Sequence, residues 1–304
     1  MELRVLNYFL TVAREESFSR AAEKLHLSQP TLSRQLKDLE EEFGKQLLIR
    51  EPRRILLTDD GELLRRRAEE ILSLVEKTEG ELLSSNEDIS GDIRIGAGES
   101  VHFGLIMAAA RQLQKQHPRI RFHIATGDGS TTLTRLDRGL IDFAFVYGRL
   151  DPAKYQELPL PVRDQWVLFL RKDDELAKQE TITAADLWPR PLLFSRQTLS
   201  PSTHGDELLH WLQKPLNELH VAGSYTLLYN ATLMVKEGLG YAISFDHLIN
   251  TTGTDLCTRP LEPPIYTEPS LAWKKNQVFS KASQLFLQTL QEKFAATCSS
   301  TDKT

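Results

Sequence analysis

The chain has 304 residues, enough for two or three domains, and its 40% hydrophobic and 26% charged residues are typical of a soluble globular protein. It has no run of about 18 apolar residues and no signal-peptide pattern at its N-terminus, which excludes a membrane-spanning or exported protein and predicts a cytoplasmic one. The net charge is −5, and residues 1–58 hold ten Lys or Arg against nine Asp or Glu, so nucleic acid could bind only through a shaped module and not through a general positive field.

Three helices are predicted in the first 45 residues. Apolar residues at helical spacing predict the first helix over residues 3–15. Ser19 is the expected cap of a second helix that ends at Leu25. The pair Gln29-Pro30 opens the third helix, because proline is tolerated in a first turn, where its missing N–H costs nothing.

The third predicted helix has two different faces. Leu32, Leu36, Leu39 and Phe43 fall within an arc of about 60° on a helical projection, so this side is expected to face a core. Arg34 lies nearly opposite them, among polar neighbours. The polar side is therefore expected to contact something outside the domain.

Two short strands and a long helix follow. Residues 47–50 and 54–58 flank a Pro-containing turn and predict a β-hairpin, or wing. Thr58 is the expected cap of the long helix. A helix of about 25 residues with a single apolar stripe needs a partner, most simply the same helix of a second subunit. The stripe repeats at intervals of four and three through Leu64, Ala68, Ile71, Val75, Thr78 and Leu82.

From residue 91 onward strands alternate with helices, which predicts a parallel sheet. A second lobe is expected to begin near Arg163, and the tail, with a strand at 271–273 and a helix at 279–296, is expected to return to the first lobe. The predicted division is 1–58, then a linker helix and hinge at 59–90, then 91–304, with lobe I at about 91–162 and 268–298 and lobe II at about 163–267.

The stretch SFSRAAEKLHLSQPTLSRQLKDLE (17–40), with GKQLLIR (44–50) and LTDDG (57–61), resembles the winged helix-turn-helix of LysR-type transcriptional regulators. The resemblance implies a bacterial, sequence-specific DNA-binding regulator. It implies an all-α winged helix-turn-helix, a long linker helix and a C-terminal α/β effector domain of two Rossmann-like lobes, as in periplasmic binding proteins. It also implies homodimers through the linker helix, assembly to a homotetramer, a small-molecule effector in the cleft, and RNA polymerase as a candidate partner at promoter DNA.

The start of the third helix is the predicted reader of bases. An α-helix fits the major groove, and its first residues meet base edges, where glutamine pairs with adenine and arginine with guanine. The start of the second helix, the wing and Lys37 are expected to contact phosphates. The predicted DNA-binding residues are Ser19, Arg20, Ser28, Gln29, Pro30, Thr31, Ser33, Arg34, Lys37, Arg53 and Arg54.

The predicted effector site lies beyond the carboxyl ends of the strands, where open α/β sheets bind ligands. Hydroxyls and glycines at helix N-termini suit an anion, but Glu99 and Asp128 add negative charge, so the charge of the effector stays open. Phe245 stands where relatives often have Leu-Pro and is expected to bring an aromatic ring toward the cleft. The predicted effector-binding residues are Ser100, Val101, Gly129, Ser130, Tyr147, Arg149, Ser195, Ser202 and Thr203.

Three alternatives stay open. Cys257 and Cys298 match neither zinc nor disulfide spacing, so reduced structural thiols are expected, with a cysteine-based redox sensor as the alternative. Two lobes around a cleft also suit a solute-binding protein, although the helix-turn-helix argues against one. An enzyme is the third alternative, but Val101 stands where a dinucleotide loop beginning at GAG (96–98) needs its third glycine. We expect no enzymatic activity, no metal and no cofactor.

Overall fold

The computed structural model describes residues 1–51, 54–83, 89–199 and 206–301. Contacts within the chain divide it into two compact units, Met1–Leu83 and Ser84–Thr304. Among the described residues, no helix combines the length and the apolar character needed to cross a membrane.

The N-terminal unit is a three-helix bundle followed by a hairpin and a long helix. Its elements are α1 (Leu3–Glu15), α2 (Phe18–Lys24), α3 (Gln29–Phe43), β1 (Leu48–Arg50), β2 (Ile55–Leu57) and α4 (Asp59–Leu83). β1 and β2 pair antiparallel, which confirms the predicted wing. Phe9 is fully buried at the centre of the bundle. It lies in one apolar cluster with Leu32, Leu36 and Leu39 of α3.

The helix starts in this unit are set by short polar side chains. Ser28 caps α3, because its Oγ accepts a hydrogen bond from the Thr31 N–H at 3.3 Å. The predicted cap of α2 is wrong: Ser17, which has extended backbone, accepts from the Arg20 N–H at 3.4 Å, and Ser19 lies inside the helix. Thr58 caps α4 as predicted, since its Oγ1 accepts from the Gly61 N–H at 3.0 Å.

The buried face of α3 ends at Leu39 and does not extend to Phe43 as predicted. Leu32, Leu36 and Leu39 are buried, but Phe43 is 44% exposed, so its assignment to the core is wrong. Phe43 is the last residue of α3, and Gly44 turns the chain with a left-handed backbone immediately after it. The helix therefore carries Phe43 past the end of the bundle.

The C-terminal unit has two lobes, each built on its own sheet. Its elements, in chain order, are β3 (Gly91–Ala97), α5 (Phe103–Gln116), β4 (Ile120–Thr126), α6 (Gly129–Asp137), β5 (Phe143–Tyr147), β6 (Tyr155–Pro159), β7 (Asp164–Arg171), β8 (Ile182–Thr183), α7 (Ala184–Leu187), β9 (Leu192–Ser195), α8 (Asp206–Leu212), β10 (Val221–Tyr225), α9 (Leu228–Lys236), β11 (Tyr241–Phe245), β12 (Leu256–Glu262), β13 (Tyr266–Thr267), β14 (Pro269–Lys274) and α10 (Lys281–Thr301), with short 3-10 helices at Glu175–Lys178 and Leu216–Glu218.

Lobe I consists of a five-stranded sheet in the order β4-β3-β5-β14-β6 with α5, α6 and α10. β3 pairs parallel to β4 and β5, as predicted, whereas β14 pairs antiparallel to β5 and β6. The strand β14 of the tail therefore lies in the sheet of this lobe. Phe143, Phe145 and Phe286 lie in a core between this sheet and its helices.

Lobe II is built on the strands β10-β9-β11-β7-β12-β8, with β13 beside β7. Its central strand, β7, runs antiparallel to β11, β12 and β13, so this sheet is mixed. Phe169 and Phe194 are fully buried on its two faces. The chain crosses between the lobes twice, after β6 and after β13, so lobe II is one continuous insertion into lobe I.

Candidate functional sites

The polar face of α3 is exposed over the buried leucines. Gln29, Pro30, Thr31 and Arg34 are exposed, as is Ser28 just before the helix. Ser28 and Thr31 also share a hydrogen bond between their hydroxyls at 2.7 Å. These side chains stand in the first turns of a helix whose opposite side is anchored in the core. Such a surface can enter a groove of about helix width.

The two cations of this face differ in their surroundings. Lys37 forms an ion pair with Glu41, Nζ to Oε1 3.1 Å, one turn further along the helix. Arg34 has no side-chain hydrogen bond or ion pair within the described residues. Its five N–H donors are therefore available for an acceptor from outside.

Arg50 at the end of β1 extends this surface, although it is not among the predicted DNA-binding residues. Its guanidinium lies 4.7 Å from the centre of the Phe18 ring, and its Nη2 donates to Ser33 Oγ at 3.0 Å. Ser33 is half-buried and is thus engaged inside the unit. The signal in the sequence was the cluster of arginines around residue 50, but no short-range pattern joins Arg50 to Ser33, seventeen residues away.

Two of the remaining predicted DNA-binding residues, Arg20 and Arg54, are held by local contacts. Arg20 Nη2 donates to the Glu15 carbonyl oxygen, and Ser19 is exposed on the first turn of α2. Arg54 Nε is 2.9 Å from Glu51 Oε2 within the hairpin. Arg53 lies outside the described residues.

The hairpin is fixed to the bundle by backbone contacts around Leu47. Glu40 Oε1 accepts from the Leu47 N–H at 2.7 Å and from the Leu48 N–H at 3.0 Å. The Leu47 carbonyl accepts from the Thr58 N–H at 3.1 Å. A methyl group on Gly61 would lie 2.2 Å from that same carbonyl oxygen. The wing is thus held between α3 and the first turn of α4.

A cleft opens between the two lobes of the C-terminal unit. Four aromatic side chains, Tyr147, Trp166, Tyr225 and Phe245, form part of its wall. The Phe245 ring centre lies 4.8 Å from that of Tyr147 and 4.6 Å from that of Trp166. The charged side chains among the described lining are those of Glu99, Asp128 and Arg196. The serines and threonines of the described lining are Thr126, Ser195, Thr198, Thr226, Ser244 and Thr267.

Asp164 joins the lobes through Tyr147, a residue of the cleft wall. Its buried carboxylate accepts from Tyr147 Oη at 2.8 Å and from Ser100 Oγ at 3.0 Å, both on lobe I. Burial, followed by the charge of Asp164, raises the pKa of Tyr147 far above its ordinary value, so the phenol stays protonated and donates. His102 Nε2 is 3.8 Å from the other Asp164 oxygen. Asp164 thus ties the first residue of β7 to lobe I.

Two further hydrogen bonds cross between the lobes at helix N-termini. Glu99 Oε2 of lobe I accepts from the Leu228 N–H, the first of α9, at 2.7 Å. In the opposite direction, Gln197 Oε1 of lobe II accepts from the Gly129 N–H, the first of α6, at 3.2 Å. These bonds satisfy N–H groups that have no partner within their own helices.

Only part of the predicted effector set meets the cleft. Tyr147 and Ser195 line it. Ser100 is bonded to Asp164, the Gly129 N–H to Gln197, and Ser130 Oγ to Asp128 Oδ1 at 2.9 Å. Val101 and Arg149 are exposed and are not part of the described lining. Ser202 and Thr203 lie outside the described residues.

Several residues that shape the cleft were not predicted for it. Asp164, Arg196 and Gln197 are absent from the predicted set, and Glu99 entered only as a source of negative charge. No local pattern identifies Asp164, because its partners Ser100 and Tyr147 are 64 and 17 residues away in the sequence. Phe245 does reach the cleft, and the signal for it was its place at the end of a strand.

Comparison with known proteins agrees with this two-unit organisation. Residues 3–62 match the family model for bacterial regulatory helix-turn-helix proteins of the lysR family, and residues 86–295 match the LysR substrate binding domain. The chain is 27% identical to the HTH-type transcriptional regulator BsdA of Bacillus subtilis (strain 168), over 94% of this chain and 99% of BsdA. It is also 27% identical to the Hca operon transcriptional activator HcaR of Escherichia coli (strain K12), over 97% and 99% of the two chains.

The fold is similar to that of CbnR, a LysR family transcriptional regulator. Its crystal structure matches with a TM-score of 0.72 at 19% sequence identity, over 97% of this chain and 99% of that one. Full-length CbnR complexed with target DNA matches with a TM-score of 0.71, also at 19% identity, over 96% and 99%. Because the two family models span most of the sequence, the chain belongs to the LysR family of bacterial helix-turn-helix regulators.

Proposed function

We propose that this LysR-type transcriptional regulator reads promoter DNA with α3 and responds to a small effector bound in the cleft of its C-terminal unit. The observation that carries the DNA-binding part is the exposed start of α3, with the uncommitted guanidinium of Arg34 above three buried leucines. Arginine donors at the start of an exposed helix suit the guanine edge in a major groove. That CbnR, of similar fold, has been crystallised with target DNA supports the same role here.

Selection of bound fragments from the DNA of the source genome tests this proposal. Full-length protein is expected to retain a small set of fragments that share one partly palindromic sequence, at a fixed salt concentration. Retention without any shared sequence, both with and without added cell metabolites, would contradict it.

The effector part of the proposal depends on the cleft. Its walls come from both lobes, so a ligand that binds there contacts both. Such a ligand would shift the equilibrium between the relative orientations of the two lobes. The cleft combines aromatic walls with a few polar groups, which is the usual make-up of a small-molecule site. We place the regulator in the cytoplasm, with promoter-bound RNA polymerase as its proposed partner.

Assembly with copies of itself is also part of the proposal. Tyr229 and Leu233, one turn apart on α9, are 62% and 47% exposed. Ile124 on β4 and Val221 on β10 are also exposed, and both strands stand at an edge of their sheet. Apolar side chains in such places are typical of protein interfaces. We propose that these surfaces and the apolar stripe of α4 form the contacts of a homotetramer.

The substitution Leu233→Asp is expected to reduce a tetramer to dimers, because the new carboxylate would lose its water in an apolar contact. The molar mass in solution, from light scattering after gel filtration, measures this. Thr181→Asp adds the same charge at an exposed position before β8, at the sheet edge opposite β10, and is expected to leave the mass unchanged. An unchanged mass for Leu233→Asp would show that α9 is not part of the interface.

Among the described side chains, which do not include that of Cys298, nothing favours redox sensing over effector binding. Burial raises the pKa of the half-buried Cys257 thiol, so the reactive thiolate is disfavoured at neutral pH. We therefore retain the small-molecule effector as the proposed signal.

A further inference from the structure

The chemical class of the ligand follows from the charges that line the cleft, and this step rests on the proposed role of the cleft as the effector site. The described lining carries two carboxylates, Glu99 and Asp128, and one guanidinium, Arg196. These three side chains together give the lining a net negative charge.

Asp128 and Arg196 balance one another across the cleft. Burial opposes ionisation of Asp128, but hydrogen bonds from Thr131 and Ser130 and the positive charge of Arg196 hold its pKa below the ordinary value. The neighbouring residues, Gly129 and Gln197, are themselves hydrogen-bonded between the lobes at 3.2 Å. This edge of the cleft is therefore close to neutral.

Glu99 is the charge that is left over. Its side chain has no cationic partner within the described residues. Among the described residues, its side chain accepts one hydrogen bond, from the Leu228 N–H to Oε2, which brings it the N-terminal end of α9 with about half a positive charge. The residue is half-buried in the cleft wall, and its second oxygen, Oε1, accepts no hydrogen bond from the described residues. A cation beside Oε1 would complete its neutralisation.

The aromatic wall suits the same kind of ligand. The rings of Tyr147, Trp166 and Phe245 pack against one another in one cluster of the cleft wall. Aromatic faces attract ammonium groups, and rings also cover an apolar ligand body. A carboxylate ligand would instead meet the Glu99 charge and find the first N–H of both α9 and α6 already bonded.

We propose that the interlobe cleft binds a small organic ammonium compound, with Glu99 as its counter-ion and the aromatic cluster as its apolar wall. Two sources share this chemistry, amines and amino acids. Arg196 distinguishes them, because only an amino acid brings a carboxylate for its guanidinium.

Thermal unfolding and calorimetric titration of the full-length protein test the proposal. The probes are aliphatic and aromatic mono- and diamines, the proteinogenic amino acids, and for each compound that binds, the analogue with a neutral hydroxyl group in place of the amino group. We expect at least one amine or amino acid to bind and its hydroxyl analogue to bind at least about tenfold more weakly, as expected for the loss of one charged hydrogen bond. A hydroxyl analogue that binds as well, or a panel with no binder, would overturn the proposal.

Glu99→Gln tests the counter-ion directly, since its amide oxygen can still accept from the Leu228 N–H. It is expected to weaken binding about tenfold. The exposed Glu157→Gln on β6 is the matched control and is expected to bind as the wild type does. Equal affinity of Glu99→Gln and wild type would overturn the role of Glu99.

Arg196→Gln separates the two sources. It is expected to weaken an amino acid about tenfold and to leave an amine unchanged, with Arg111→Gln on the exposed side of α5 as the control. Each variant is also assayed for sequence-selective DNA retention without ligand. A wild type that binds none of the probes but retains DNA selectivity refutes the ligand class alone, whereas a wild type without DNA selectivity refutes the regulator.

Discussion

Gly61→Ala is expected to destabilise the N-terminal unit by about 3 kcal/mol. The added methyl group would lie 2.2 Å from the Leu47 carbonyl oxygen, a contact that real structures do not contain. That carbonyl cannot move away freely, because it accepts from the Thr58 N–H while the Leu47 N–H donates to Glu40. To make room for the methyl group, the first turn of α4 would have to move away from the wing.

The same helix provides the control. A Cβ atom on Gly80 would have open space around it, so Gly80→Ala is expected to stabilise the helix by about 1 kcal/mol. The four tryptophans of the chain, at positions 166, 188, 211 and 273, all lie in the C-terminal unit. For Gly61→Ala, the unfolding midpoint measured by tryptophan fluorescence should therefore equal that of the wild type. The helical circular dichroism signal should instead show an additional transition at lower denaturant concentration. Coincident curves for the two variants would contradict the close contact.

Arg34→Ala is expected to weaken binding to the selected DNA site by about 1–3 kcal/mol and to relax the preference at one base pair. The guanidinium is exposed and, within the described residues, has no partner to release before it binds. Its loss therefore removes base contacts without disturbing the α3 core. Affinities for the selected site and for a scrambled duplex, measured at one salt concentration, give this difference.

Lys37→Ala provides the comparison on the same helix. Lys37 is already paired with Glu41 at 3.1 Å and is expected to contact phosphate, so its loss should weaken both duplexes about equally. The salt dependence of binding should become shallower by about one charge. An equal loss on both duplexes for Arg34→Ala would make Arg34 a phosphate contact as well.

The helices of the N-terminal unit could be predicted because the residues that determine them lie close together in the sequence. A cap and the residues it caps are three positions apart, and the leucines of α3 repeat at three and four, so helix order and faces follow from short windows. The errors were local too. Ser17 and Ser19 are both good caps, and only the extended backbone at Ser17 decides between them.

The cleft was harder to predict because it is built from distant parts of the chain. The parallel pairing of strands in the first lobe followed from alternation, but β6 was missed, since it is a short edge strand with mostly exposed residues. Glu99 meets Leu228 and Ser100 meets Asp164 only after both lobes have folded. Side chains chosen by their place after a strand therefore included several that turn toward a cap or solvent instead.

The insertion of lobe II into lobe I sets an order for folding during synthesis. β14 lies between β5 and β6, yet it leaves the ribosome after all of lobe II has been made. The inserted lobe is a continuous segment and has all its strands available before then, whereas the sheet of lobe I still lacks the strand between β5 and β6. A message that ends just before residue 269 would therefore yield a chain with a complete second lobe and an incomplete first one, a natural target for proteases.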